Sequence, residues 1–190
     1  DMNFDSLHPL LEKALALRLV QSNASNPALH GTSHEEALRL FNGFYEGYPD
    51  LVLDIYAGTL VIHDYSETPS SAFIQSVSDY IRNAMPWLHT GILKTRNGPT
   101  QKEKRGTLLF GSTLDSKVNE YGIRYAIDLT MNRDSSFYLD TKNLRKWLTE
   151  NMRGKSVLNT FAYTGSLGVA AFAGGAANVI QTDLSRQFLN

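Results

Sequence analysis

VLNTFAYTGSLGVAAFAGGAANVIQTDLS, residues 157–185, reads as an apolar strand, a loop of small residues, an Ala-rich helix and a second strand that ends on an acid. That order predicts two parallel strands joined by a crossover helix. At the C-terminal end of a parallel strand, the loop into the helix presents free backbone N–H groups above a crevice, and NTFAYTGSLG, residues 159–168, holds that position. A dinucleotide-binding loop needs G-x-G-x-x-G so that backbone can approach a pyrophosphate. Here only Gly165 and Gly168 are glycine, and Tyr163 stands where the first would be, which argues against NAD or FAD. Asp183, at the predicted tip of the second strand, is placed to accept hydrogen bonds from two ribose hydroxyls.

A ligand with an adenosine and no pyrophosphate fits these features, and S-adenosylmethionine is the common cofactor of that kind. The same stretch also reads as ordinary α/β packing, with Asp183 only capping a helical turn at DLSRQF. The pattern by itself leaves both readings open.

Upstream, KVNEYGIRYAIDL (117–129) predicts a hairpin bending at Tyr121 and Gly122. It leads into MNRDSSFYLDTKNLRKWLTENMRGK (131–155), where Leu144, Trp147, Leu148 and Met152 follow helical spacing and Gly154 suits a C-cap. Nearer the start, Leu7, Leu10, Leu11, Ala14, Leu15 and Leu19 predict an amphipathic helix entered near Ser6 and Pro9 and ending in QSNASNP. Ser33 and Glu36 have capping-box spacing and predict a short helix through GTSHEEALRLF. LVLDIY (51–56) and TLVIHDY (59–65), separated by Ala57 and Gly58, predict a hairpin. SSAFIQSVSDYIRNAM (70–85) predicts a helix that stops at Pro86, and GILKTR and TLLFG predict two more strands. The expected fold class is α/β: a small α+β domain over residues 1–111, then the start of a Rossmann-like domain over residues 112–190.

A formal net charge of -1 over 190 residues gives no global reason to expect nucleic-acid binding, so any RNA contact must be local. The absence of cysteine excludes disulfides, a thiolate zinc site and a cysteine nucleophile within these residues, and agrees with a reducing compartment. No basic segment precedes an apolar core at the start, and no apolar run approaches the roughly 18 residues of a membrane span. A soluble, cytoplasmic protein is expected, without a membrane partner. The chain leaves a homodimer open.

Other candidates are weaker. His30 and His34 are four residues apart but straddle a helix start, so no metal site is expected. Asp50, Asp54 and Asp64 read as isolated carboxylates serving turns and strand polarity. KTRNGPTQKEKRG (94–106) sets Lys94, Arg96, Lys102, Lys104 and Arg105 against Glu103, and such a loop can follow an RNA backbone. Tyr45, Tyr48 and Tyr56 could stack on bases, although core and hairpin packing is the commoner fate of such tyrosines.

Three blocks in order, RLFNGFYEGYPDLVLDIYAG (39–58), YGIRYAIDLTMNRDSSFYLDTKNLR (121–145) and the stretch at 157–185, resemble the class I S-adenosylmethionine-dependent methyltransferases of large-subunit ribosomal RNA, the family with the cytosine-C5 enzymes. The resemblance implies that Asn159, Phe161, Ala162, Tyr163, Thr164 and Gly165 form the cofactor loop, and that Asp183, Leu184 and Ser185 surround ribose and adenine. It also implies that Phe137, Tyr138, Leu139 and Asp140 close over the methionine end. RNA becomes the expected partner and S-adenosylmethionine the cofactor.

There are departures from the family pattern. Asp134, Ser135 and Ser136 stand where the family commonly has Lys-Thr-Gly, and Thr141 and Lys142 where it has Gln-Arg. The family's N-terminal RNA-binding PUA domain is not recognisable ahead of Arg39. Its target-base motif and nucleophilic cysteine come later than the second sheet strand, so catalytic residues are expected beyond Asn190 and the chain is read as a fragment without turnover of its own. Cytosine C5 needs a thiolate at C6 before it attacks, whereas an exocyclic nitrogen needs only positioning and proton removal. The rival expectation is a non-catalytic RNA-binding or assembly module that keeps the fold.

Overall fold

The computed structural model describes residues 3–25, 34–131 and 134–188. Its centre is the hairpin of β2 (Leu51–Tyr56) and β3 (Thr59–Asp64), whose residues are all buried. Runs so apolar suit strands covered on both faces, and each fully buried Leu, Ile or Val side chain contributes about 1.5–3 kcal/mol. The strands pair antiparallel from Leu51↔Asp64 to Tyr56↔Thr59, around the expected turn at Ala57 and Gly58.

β1 (Ala37–Asn42) adds antiparallel to β2, with a bulge between Arg39 and Phe41. The helix expected from Ser33 is therefore overturned where the chain is described; Ser33 itself lies outside the described residues. Pairing with β2 gives residues 37–42 a full ladder, and the bulge lets the neighbours Leu40 and Phe41 both enter the core. A capping-box spacing cannot compete with that burial. A single turn, α2 (Gly43–Glu46), follows.

α3 (Ser71–Ala84) carries the chain from β3 to the parallel strand β4 (Thr90–Thr95). Ser70 caps it, its hydroxyl accepting from the Phe73 amide at 3.3 Å. α4 (Gln101–Arg105) opens on a capping box of Thr100 and Glu103, and β5 (Thr107–Phe110) closes the sheet in the order β1-β2-β3-β4-β5. α1 (Phe4–Ser25) and α3 cover one face: Leu7, Leu11, Ala14 and Leu15 pack with Leu53, Ile62, Val77 and Ile81.

The opposite face forms a second core. Tyr56, Val61 and Ile92 from the sheet meet Val118, Tyr125, Phe137, Leu148 and Ala170. These come from the hairpin β6 (Lys117–Glu120) and β7 (Ile123–Ala126), from α5 (Lys142–Asn151), which follows a 3-10 turn at Leu139–Thr141, and from the unit β8 (Ser156–Asn159), α6 (Ser166–Ala173), β9 (Asn178–Gln181). β8 and β9 pair parallel from Ser156↔Asn178 to Asn159↔Gln181, as the strand–helix–strand reading requires. Among the described residues no helix is long and apolar enough to cross a membrane.

Candidate functional site

The loop between β8 and α6 is built by two left-handed residues, Tyr163 at φ 47° and Gly165 at φ 86°. A side chain on Gly165 would be strained by that φ. Gly168, in the first turn of α6, sits close to β9: a Cβ there would lie 2.4 Å from the end of the Gln181 side chain, which would have to swing aside. The Ala162 amide donates to the Thr182 carbonyl at 2.9 Å, and Asn159 donates through Nδ2 to Gln181 Oε1 at 3.2 Å.

Asp183 fastens the arrangement. Its Oδ2 accepts from the Tyr163 amide and its Oδ1 from the Ser185 amide, both at 2.9 Å. These bonds, the one from Ser185 foremost, hold the carboxyl below its ordinary value. Asp183 therefore serves the 3-10 turn at Arg186–Phe188, as the capping reading expects, and the loop at once. Each oxygen uses one acceptor site of about two and keeps another for a ligand hydroxyl. Aromatic rings gather beside it: Tyr138 lies 4.8 Å from Tyr163, and Phe188 lies 4.8 Å from Tyr163 on another side. Phe161 and Leu184 are exposed at the rim.

The irregular segment 134–138, which brings Tyr138 to this cluster, is held by its carbonyls. Lys94 Nζ donates to the Asp134 carbonyl at 2.9 Å, Thr164 Oγ1 to Ser136, Tyr56 OH to Phe137 at 3.4 Å and Arg145 Nη1 to Tyr138 at 2.7 Å. Arg145 is fully buried, forms a bidentate pair with buried Glu120 at 2.6 and 2.8 Å, and lies 4.0 Å over the Phe137 ring. Nothing in the local pattern marks Arg145 or Glu120, because their partners are distant in sequence. A charged residue on the apolar side of an amphipathic helix is the one available signal.

The structure brings together Asn159, Phe161, Ala162, Tyr163, Thr164, Gly165, Asp183, Ser185 and Tyr138. It places two expected site residues elsewhere. The Phe137 ring is a core side chain beneath Arg145, since its pairing with Tyr125 and Arg145 buries it, and Asp140 is exposed on the 3-10 turn. Lys94 does not share a surface with Arg96, Lys102, Lys104 and Arg105: it is 2% exposed, because its position in β4 points it under the 134–138 segment. Burial pushes its ammonium down to about 8.

Asp54 is not isolated. It lies between Arg39, at 2.8 and 3.1 Å, and His63, at 3.2 Å. Burial raises its pKa, but the hydrogen bonds from His63 and Arg39 outweigh this and hold it below its ordinary value. Asp64 accepts from the amide and hydroxyl of Ser66. Tyr45 is exposed, Tyr48 stacks on Phe73 and Tyr56 is buried. His34 stacks on Trp87, and His30 lies outside the described residues. Of the departures from the family pattern, Asp134 faces Arg96 at 3.8 Å, Lys142 pairs with Glu36 at 3.3 Å and Thr141 bonds the Tyr138 carbonyl at 2.9 Å.

Residues 39–190 match a family model described as S-adenosylmethionine-dependent methyltransferase. The chain is 30% identical over 190 residues to ribosomal RNA large subunit methyltransferase K/L of Colwellia psychrerythraea, covering 94% of this chain and 26% of that protein. To the protein of the same name in Vibrio parahaemolyticus it is 34% identical over 153 residues, covering 74% and 21%. It superposes with a TM-score of 0.70 and 23% identity on a SAM-dependent methyltransferase of Streptococcus mutans, covering 94% of this chain and 46% of that one. The chain thus spans about a quarter of the K/L relatives' length.

Proposed function

The chain belongs to the S-adenosylmethionine-dependent methyltransferase family, and we propose that it holds S-adenosylmethionine at the 159–165 loop in a cytoplasmic enzyme that methylates RNA of the large ribosomal subunit. The observation that carries this is Asp183: it holds the loop backbone through the Tyr163 amide and the following turn through the Ser185 amide, while each carboxylate oxygen keeps an acceptor site for a ribose hydroxyl. The cofactor supplies a methyl group activated on a sulfonium. The chain's own residues bind and orient it. Asp183 takes the ribose, Leu184 and Ser185 flank the adenine, and Tyr138 and Tyr163 exclude water beside the loop.

The names of the relatives support RNA as substrate and an enzyme over a non-catalytic module. In this reading residues 1–111 form the substrate-side unit and residues 112–190 the cofactor side, with Arg96, Lys102, Lys104 and Arg105 facing RNA phosphates. Cytosine-C5 methylation needs a thiolate and exocyclic-nitrogen methylation does not, and the relatives' names, which give ribosomal RNA and no base, support neither over the other.

Calorimetric titration of S-adenosylhomocysteine into the chain and its Asp183→Ala variant tests the cofactor site. Loss of the ribose contacts should weaken binding roughly tenfold or more. Equal affinity in both proteins would remove Asp183 from the site.

A further inference from the structure

A cleft of about 540 Å³ lies away from the Asp183 loop, between the β6–β7 hairpin and the turn joining β2 to β3. That volume is in the range of small-ligand sites. On one wall the His34 and Trp87 rings stack face to face, with centroids 3.8 Å apart and planes 1° from parallel. On the other, Asn119 lies directly opposite Arg124, and Lys117 is two residues along the same strand face, while Val118 and Tyr125 turn into the core. The walls are fixed to each other: the Asn119 amide donates to the Glu35 carbonyl at 2.8 Å, and the Ala57 amide to that of Glu36 at 2.9 Å. The floor is equally set. Asp115 accepts from the Gly58 amide at 3.0 Å and the Thr59 hydroxyl at 2.7 Å, and lies 3.1 Å from His89 Nε2.

We infer that this cleft binds one unpaired nucleotide of the RNA, outside the methyl-accepting site, with its base on the His34–Trp87 stack and its phosphate on Lys117 and Arg124. The inference rests on the RNA reading above and adds a second contact to it. Single-stranded RNA is recognised by an aromatic platform, groups that bond base edges and cations that follow the backbone. His34 and Trp87 supply the first, Asn119 and Glu35 the second, Lys117 and Arg124 the third. Asp115 is engaged by Gly58, Thr59 and His89; Glu35, whose Oε2 accepts from Asn119 Nδ2 at 3.5 Å, keeps further acceptor sites for an exocyclic amine.

The test is fluorescence titration of a short single-stranded oligoribonucleotide into a Trp147→Phe background, in which emission reports Trp87. Quenching is expected, with binding weakened roughly tenfold by His34→Ala and the salt slope reduced by about one by Arg124→Gln. Both changed side chains are exposed, so unaltered circular dichroism is expected. RNA binding that leaves Trp87 emission and both variants unchanged would overturn the cleft and leave the RNA reading standing. No RNA binding by the unmodified chain would overturn the RNA reading, and the cleft with it.

Discussion

Replacing Arg145 with Met should destabilise the chain severely, and replacing Glu120 with Met in the same molecule should recover about half of the loss. Both charged side chains are buried to within 1% of full exclusion and joined at 2.6 and 2.8 Å, so each alone would be an uncompensated buried charge. Breaking such a pair from one side costs about 3–5 kcal/mol, whereas exchanging both partners for apolar residues is often neutral. Arg145 has a further duty in donating to the Tyr138 carbonyl and Thr141 Oγ1, at 2.7 and 2.6 Å. The double variant should therefore retain a deficit of about 1–3 kcal/mol, the cost of a buried acceptor left unpaired. Urea unfolding measures this directly. With a slope of about 2 kcal/mol/M, Arg145→Met should lower the midpoint by about 2 M and the double variant by about 1 M. Single variants whose losses simply add in the double variant would refute the pairing argument, since coupling is what the geometry requires.

Lys94 predicts a pH dependence. Its pKa in the fold, about 8, lies below its ordinary 10.5, so between these values the unfolded chain binds more protons and stability rises with pH, by up to about 3 kcal/mol in all. Lys94→Met should flatten the rise, read as the difference between the two proteins' urea midpoints across that window; parallel curves would count against a buried ammonium. Asp54 acts at the other end. Its depressed pKa contributes stability that is complete above the ordinary value of 3.8 and lost as pH falls through the folded value. Asp54→Asn should therefore be less stable at neutral pH and show a shallower acid limb in a thermal-unfolding series, and an unchanged acid limb would exclude Asp54 as its source.

Local patterns were legible where one element answers to its own residues. The strand–helix–strand unit, the two hairpins and α3 follow from apolar runs, turn residues and a cap, and need no knowledge of neighbours. β1 was hidden because ALRLFN is a strand only in the presence of β2's free edge. The glycine loop and Asp183 were legible as neighbours because two parallel strands joined by one helix put them at the same end of the unit. The supports of that loop were not, because Tyr56, Lys94 and Glu120 lie 81, 40 and 25 residues from the groups they bind. A basic loop and a row of tyrosines carry no mark that says which member turns inward.

Those distant supports also limit how the two parts of the chain can move. Lys94 and Tyr56 reach the 134–138 segment from the five-stranded sheet, and Thr164 and Arg145 reach it from the α/β side. Separating the sheet from the segment would exchange the Asp134 and Phe137 carbonyls' bonds to these donors for bonds to water, at about 0.5–1.5 kcal/mol each, and would open the shared core of Tyr56, Val61 and Ile92 against Phe137 and Leu148. Parting the two sides is therefore costly. The segment that presents Tyr138 to the Asp183 loop is thus set jointly by both sides, through the same few carbonyls.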